Sequence, residues 1–82
     1  MEITQQIVEI LCEEFGEDFR DALSPDAGPE DIETWDSISA MRVLLSLERA
    51  FRIRISMDEA AEMTTVGKIG EAVERPVAAR SG

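Results

Sequence analysis

Apolar residues recur at helical spacing in several stretches of this chain, and turn-forming residues separate them. Ile3, Ile7, Ile10, Leu11 and Phe15 follow three- and four-residue steps with Glu9, Glu13 and Glu14 between them, which predicts an amphipathic helix over residues 3–15. Gly16 is its natural stop. From Glu17 to Trp35 no period survives, and Ser24-Pro25-Asp26 and Gly28-Pro29-Glu30-Asp31 are turn chemistry. This predicts a long connection with one helical turn near Asp18 to Leu23, anchored on the core by Leu23, Ile32 and Trp35. So long a loop in a small domain tends to be functional. Asp36, a favoured N-cap, then opens the strongest helix, residues 37–51. Its apolar band of Ile38, Met41, Leu44, Leu45, Leu47 and Phe51 is wider than one packed face needs, so part of it is expected to face a partner.

Arg52-Ile53-Arg54-Ile55 alternates like a strand, but four residues cannot build a sheet, and the segment reads as an extended link whose isoleucines plug the core. Ser56-Met57-Asp58-Glu59 fits a capping box that starts a short helix ending near Met63. Thr65 can cap a last helix in which Val66, Ile69, Ala72 and Val73 share a face, and Pro76 is expected to stop it. The expected fold is all-α: a small four-helix bundle of three principal helices and one short one, with a long loop between the first two. One domain spans residues 1–76, and residues 77–82 form a flexible C-terminal tail. There is no internal repeat.

Composition narrows the function. The 82 residues suffice for one domain, and 44% of them are apolar, more than a disordered chain carries. Three Phe, one Trp and no Tyr leave the core to aliphatic residues, which favours helices over a β-sandwich. Eighteen acidic against eight basic side chains give a net charge of −10, which disfavours nucleic acid and anionic membranes as direct partners. The only cysteine, Cys12, lies beside the first apolar stripe and reads as a small buried hydrophobe; no internal disulfide is possible. Histidine is absent, which removes His-based acid–base catalysis and the usual zinc sites. The acidic loop Asp26-Ala27-Gly28-Pro29-Glu30 lacks the alternating oxygen ligands of a calcium loop, so no metal is expected. With no leader pattern and no apolar stretch of spanning length, the expected location is cytoplasmic.

Ser37 stands at the junction of the long loop and the strongest helix, where unpaired amides and the positive end of the helix dipole favour a phosphate. Asp-Ser at a helix start is by itself ordinary capping. The register that follows is more specific: Asp36-Ser37-Ile38, then Leu44, Leu47-Glu48, Phe51 and Ile55, and finally Thr64-Thr65-Val66. Over roughly residues 3 to 75 this resembles the acyl carrier protein family, whose signature is Asp-Ser-Leu at the start of its second helix, and the spacing from Ser37 to Val66 fits without a gap. The resemblance implies a stand-alone carrier with no catalysis of its own. A phosphopantetheinyl transferase would join Ser37, beside Asp36, to the 4′-phosphopantetheine of coenzyme A, and the thiol of that arm, not Cys12, would hold the cargo as a thioester. The absence of any nucleophile–base pair agrees with this. The implied docking surface comprises Ile38, Met41, Arg42, Leu45, Glu48 and Arg49, with Ile55 and Ala60 nearby. Implied partners are the transferase, an acyl-loading ligase or acyltransferase, and a ketosynthase or other acyl-processing enzyme; a monomer is expected.

The chain departs from the fatty-acid-synthesis pattern, in which the exposed face of the second helix is acidic. Here those positions include Ser39, Arg42 and Arg49, and across residues 42–54 four arginines stand against the single Glu48. Charge reversal at a docking surface rejects partners built for the opposite sign. A dedicated partner set, in polyketide or other specialised biosynthesis, is therefore expected. Two other readings stay open: a stand-alone aminoacyl or peptidyl carrier, although Glu33-Thr34-Trp35 lacks the Gly-Gly usual in large synthetases, and an unmodified helical adaptor that binds through its second helix.

Overall fold

The computed structural model describes residues 3–81. Every regular element among them is helical: α1 (Ile3–Phe15), a 3₁₀ segment (Glu17–Ala22), α2 (Ser37–Phe51), α3 (Met57–Glu62) and α4 (Val66–Ser81). The all-α bundle with a long connection between α1 and α2 is thus as expected. α1 packs against both α2 and α4, and α2 packs against α4. Their inner faces meet in one core that includes Ile7, Leu11, Phe15, Val43, Leu47, Ile69 and Val73. Burying such aliphatic stripes supplies most of the stability of helices too short to persist alone. None of the described helices is long and apolar enough to cross a membrane.

Most of the inner helix ends have an identifiable cause. α1 stops at Gly16, whose φ of 121° suits only glycine, and the Gly16 amide closes on the Cys12 carbonyl at 2.9 Å. α2 opens on a reciprocal capping box: the Ser39 amide donates to Asp36 Oδ1 at 2.9 Å and the Asp36 amide donates to Ser39 Oγ at 2.8 Å. α3 repeats the device with Ser56 and Glu59. At the start of α4, three amides find partners outside the helix. Val66 N donates to Ala27 O and Gly67 N to Pro25 O, both at 2.9 Å, and Lys68 N donates to Thr65 Oγ1 at 3.2 Å. The loop therefore serves as a cap for α4 as well as a link. It approaches so closely that a Cβ on Gly28 would lie 2.7 Å from the Thr64 carbonyl oxygen.

Ile32 and Trp35 anchor this loop in the core as expected, and Leu23 packs at its margin. Trp35 stacks on Phe15 with ring centroids 5.0 Å apart, and Thr34 Oγ1 donates to the Phe15 carbonyl at 2.8 Å. The last turn of α1 is thereby capped by the residues that lead into α2.

Pro76 does not stop α4, which continues to Ser81. Proline withdraws the amide that would reach the carbonyl four residues earlier, but its fixed φ is itself helical. Arg75 Nε donates to the neighbouring Glu71 carbonyl at 3.4 Å, and Val77, beyond the proline, packs against the core. That apolar contact is a reason for the helix to run on. Residues 77–81 of the expected tail are thus helical, and Gly82 lies outside the described residues.

Trp35→Ala removes both the stack and the loop's largest anchor. It is expected to cost about 3–5 kcal/mol in urea unfolding, while Trp35→Phe retains most of that. A second expectation concerns acid. The Ser39 amide, bonded to the Asp36 carboxylate, holds its pKa below the usual 3.8, and the Arg20 side chain does the same for Glu9. A lowered folded-state pKa adds stability that is fully present above the unfolded value and is lost as pH falls through the folded one. The urea midpoint should therefore decline below about pH 4. Asp36→Asn, which still caps but cannot titrate, should decline less over the same range.

Candidate functional site

Ser37 occupies the first turn of α2 with its side chain exposed. The cap's hydrogen bonds run between Asp36 and Ser39, so the Ser37 hydroxyl is not consumed in closing the helix end. Ser39 is buried and its Oγ also donates to the Thr34 carbonyl at 2.6 Å, which ties the cap to the loop docked on α1. Ser39 was expected on the exposed face. It turns inward because position three of a helix is where a short polar side chain can reach back to the cap amide. Ser37 thus stands between two residues locked by mutual bonds, with its own side chain exposed.

The exposed part of the α2 apolar band is now defined. Ile38, Met41 and Leu45 are 65%, 53% and 51% exposed, whereas Leu47 and Phe51 are buried and Leu44 is half-buried. Arg42 and Arg49 are exposed beside them, and Arg42 Nη1 lies 3.5 Å from Glu14 Oε2 on α1. Two other residues expected at or near a docking surface have structural duties, and the burial of Ile55 is that expected of a core plug. Glu48 is a tether: its Oε2 accepts from the Ile55 amide at 2.9 Å, and its carbonyl accepts from the amides of Arg52 and Ile53. Those bonds turn the chain out of α2, with Arg52 left-handed at φ 54°, and drive Ile53 and Ile55 inward. Ala60 is half-buried on α3.

Beside Ser37 the structure holds a cavity of about 270 Å³ that sequence reasoning did not foresee. Its inner wall includes Phe15, Trp35, Val43 and Ile69, and its mouth lies among Ser37, Met41 and Met57. The lining is mainly apolar. Met41, Met57 and Met63 all contribute to it, so every methionine after Met1 borders this one space. Met57 is 78% exposed. Flexible thioether side chains let such a space adjust to what enters it. The clue in the sequence was the methionine content, but Met41 on α2 and Met57 and Met63 at the two ends of α3 share no period.

Cys12 is buried, and its pKa is raised chiefly by that burial, so its thiol is neither exposed nor ionised. Arg20, 2.6 Å from Glu9 and 2.8 Å from Glu17, lies on the same side of α1 and braces the 3₁₀ segment.

A hydroxyl exposed on a helix's first turn suits attachment of a phosphodiester, because the positive helix end faces the new charge. The apolar trough beside it suits what such a group would carry. Residues 5–73 match the family model described as phosphopantetheine attachment site. Two D-alanyl carrier proteins, from two strains of Lactobacillus delbrueckii subsp. bulgaricus, are each 34% identical to this chain over 77 residues, covering 92% of it and 94% of the relative. The chain therefore belongs to the phosphopantetheine-attachment family, as a carrier protein rather than an enzyme, with 4′-phosphopantetheine as its covalent prosthetic group.

Proposed function

We propose that the chain carries its cargo as a thioester on a phosphopantetheine arm attached at Ser37, and delivers it to partner enzymes docked on α2. The observation that carries this is the exposed Ser37 hydroxyl, left out of the Asp36–Ser39 cap and set at the mouth of the apolar cavity. In the loading step, assisted by a transferase, the Ser37 oxygen bonds to the phosphorus next to pantetheine. The pyrophosphate linkage of coenzyme A breaks, its nucleotide half leaves, and the serine proton passes to a base. Once bound, the arm supplies a terminal thiol whose thioester keeps an acyl group activated. This chain's own part is to hold the arm at a rigid helix end and to offer Ile38, Met41 and Leu45 to the partner.

The cargo we favour is an acyl intermediate of polyketide or other specialised biosynthesis. Two features support it: the apolar lining beside Ser37, and arginines where the fatty-acid-synthesis pattern is acidic. A second reading, a small aminoacyl cargo, is favoured by the likeness to D-alanyl carrier proteins. The expected partners are a phosphopantetheinyl transferase, a loading ligase or acyltransferase, and acyl-processing enzymes.

Intact-mass analysis after incubation with coenzyme A and a broad-specificity transferase should show the gain of one phosphopantetheine on the wild type and none on Ser37→Ala. An equal gain on both, or none on the wild type, would place the attachment elsewhere or leave the chain an unmodified adaptor. The mass of the thioester formed in the native host separates acyl from aminoacyl cargo.

A further inference from the structure

The exposed stripe of α2 alternates apolar and cationic side chains. Ile38, Arg42, Leu45 and Arg49 follow one another at steps of four, three and four residues, which sets them in a single line on the helix. Val43 and Leu47 fall on the opposite side, in the core. All four stripe residues are exposed, and Met41 flanks them. None of Ile38, Arg42, Leu45 and Arg49 belongs to the buried core.

The charge around the stripe is as uneven as its hydropathy. Residues 42–54 hold four arginines and one glutamate, whereas the rest of the chain holds seventeen acidic groups against four basic ones. The one glutamate is turned aside, since Glu48 bonds to the Ile55 amide. Glu14 faces Arg42 from α1, but at 3.5 Å, and the Arg42 side chain is still 66% exposed. The stripe that begins at Ile38, one residue from Ser37, therefore carries Arg42 and Arg49 on a body that is acidic in balance.

Resting on the reading of Ser37 as the arm's attachment point, we infer that this stripe seats the carrier on an enzyme whose docking groove is apolar and rimmed with carboxylates. Ile38 and Leu45 fill the groove, and Arg42 and Arg49 meet the rim. The acidic body is repelled by such a partner in every orientation but the one that puts α2 against it and points the arm inward. A basic-rimmed partner would instead attract the body from all sides and select no orientation. An anionic membrane offers the same charge as the groove. It is the less favoured occupant, because the surrounding carboxylates must also approach a flat surface, whereas a groove admits the stripe alone.

The test uses the full carrier, converted to its holo form with excess transferase and verified by intact mass, and the ligase or acyltransferase that loads it in the native host. Arg42→Glu/Arg49→Glu should raise the loading enzyme's KM for the carrier about tenfold at low salt and leave kcat nearly unchanged. Arg42→Lys/Arg49→Lys should stay near the wild type. Arg49→Glu alone, which spares the contact with Glu14, should give a smaller rise and keeps the test open should the double variant unfold. Unchanged or lowered KM in the Glu variants overturns the inference. So does arginine-dependent co-sedimentation with phosphatidylglycerol vesicles but not with phosphatidylcholine ones. Because Ser37 modification is read separately by mass, a normal mass gain with unaltered KM rejects the docking surface and leaves the carrier reading standing.

Discussion

The indole of Trp35, stacked on Phe15 and reinforced by the Thr34 hydroxyl on the Phe15 carbonyl, is the contact through which the end of α1 determines where α2 begins. From it the rest follows in short covalent steps. Asp36 is placed to cap, Ser39 is placed to close the cap and to bond back to Thr34, and Ser37 is left on the outside between them. The same rings form part of the cavity wall, so one aromatic pair supports the loop, sets the Ser37 hydroxyl and shapes the space beside it.

The long loop would be costly if it only connected two helices, because its backbone must be ordered without a ladder of its own. It is stabilised by lending its carbonyls to another element. Ala27 and Pro25 accept from the first amides of α4, and Gly28 permits backbone contact that any larger residue would obstruct. α4 and the loop thus hold each other, which ties the C-terminal helix to the site although it contributes little to the surface around Ser37.

Much of this was legible in the sequence where the cause is local. Helix spans, the Gly16 stop and the caps at Asp36, Ser56 and Thr65 depend on residues within one turn, and their spacing reveals them. The position of Ser37 at the exposed start of α2 was legible for the same reason. What escaped depends on elements far apart in the chain. The inward turn of Ser39 needs Thr34 held nearby by α1, and the diversion of Glu48 from the docking face needs the Ile55 amide across the turn. The cavity takes side chains from α1, the loop, α2, α3 and α4, which no periodicity joins. Pro76 misled because a local rule about amides was outweighed by Val77 reaching the core.

The closed Asp36–Ser39 cap has one more consequence. Because the helix end is satisfied without the Ser37 hydroxyl, a group added to that oxygen displaces no hydrogen bond of the cap. Folding and modification are therefore separable events. The unmodified chain closes this helix end first, and the proposed arm would be added to a scaffold already in its final shape.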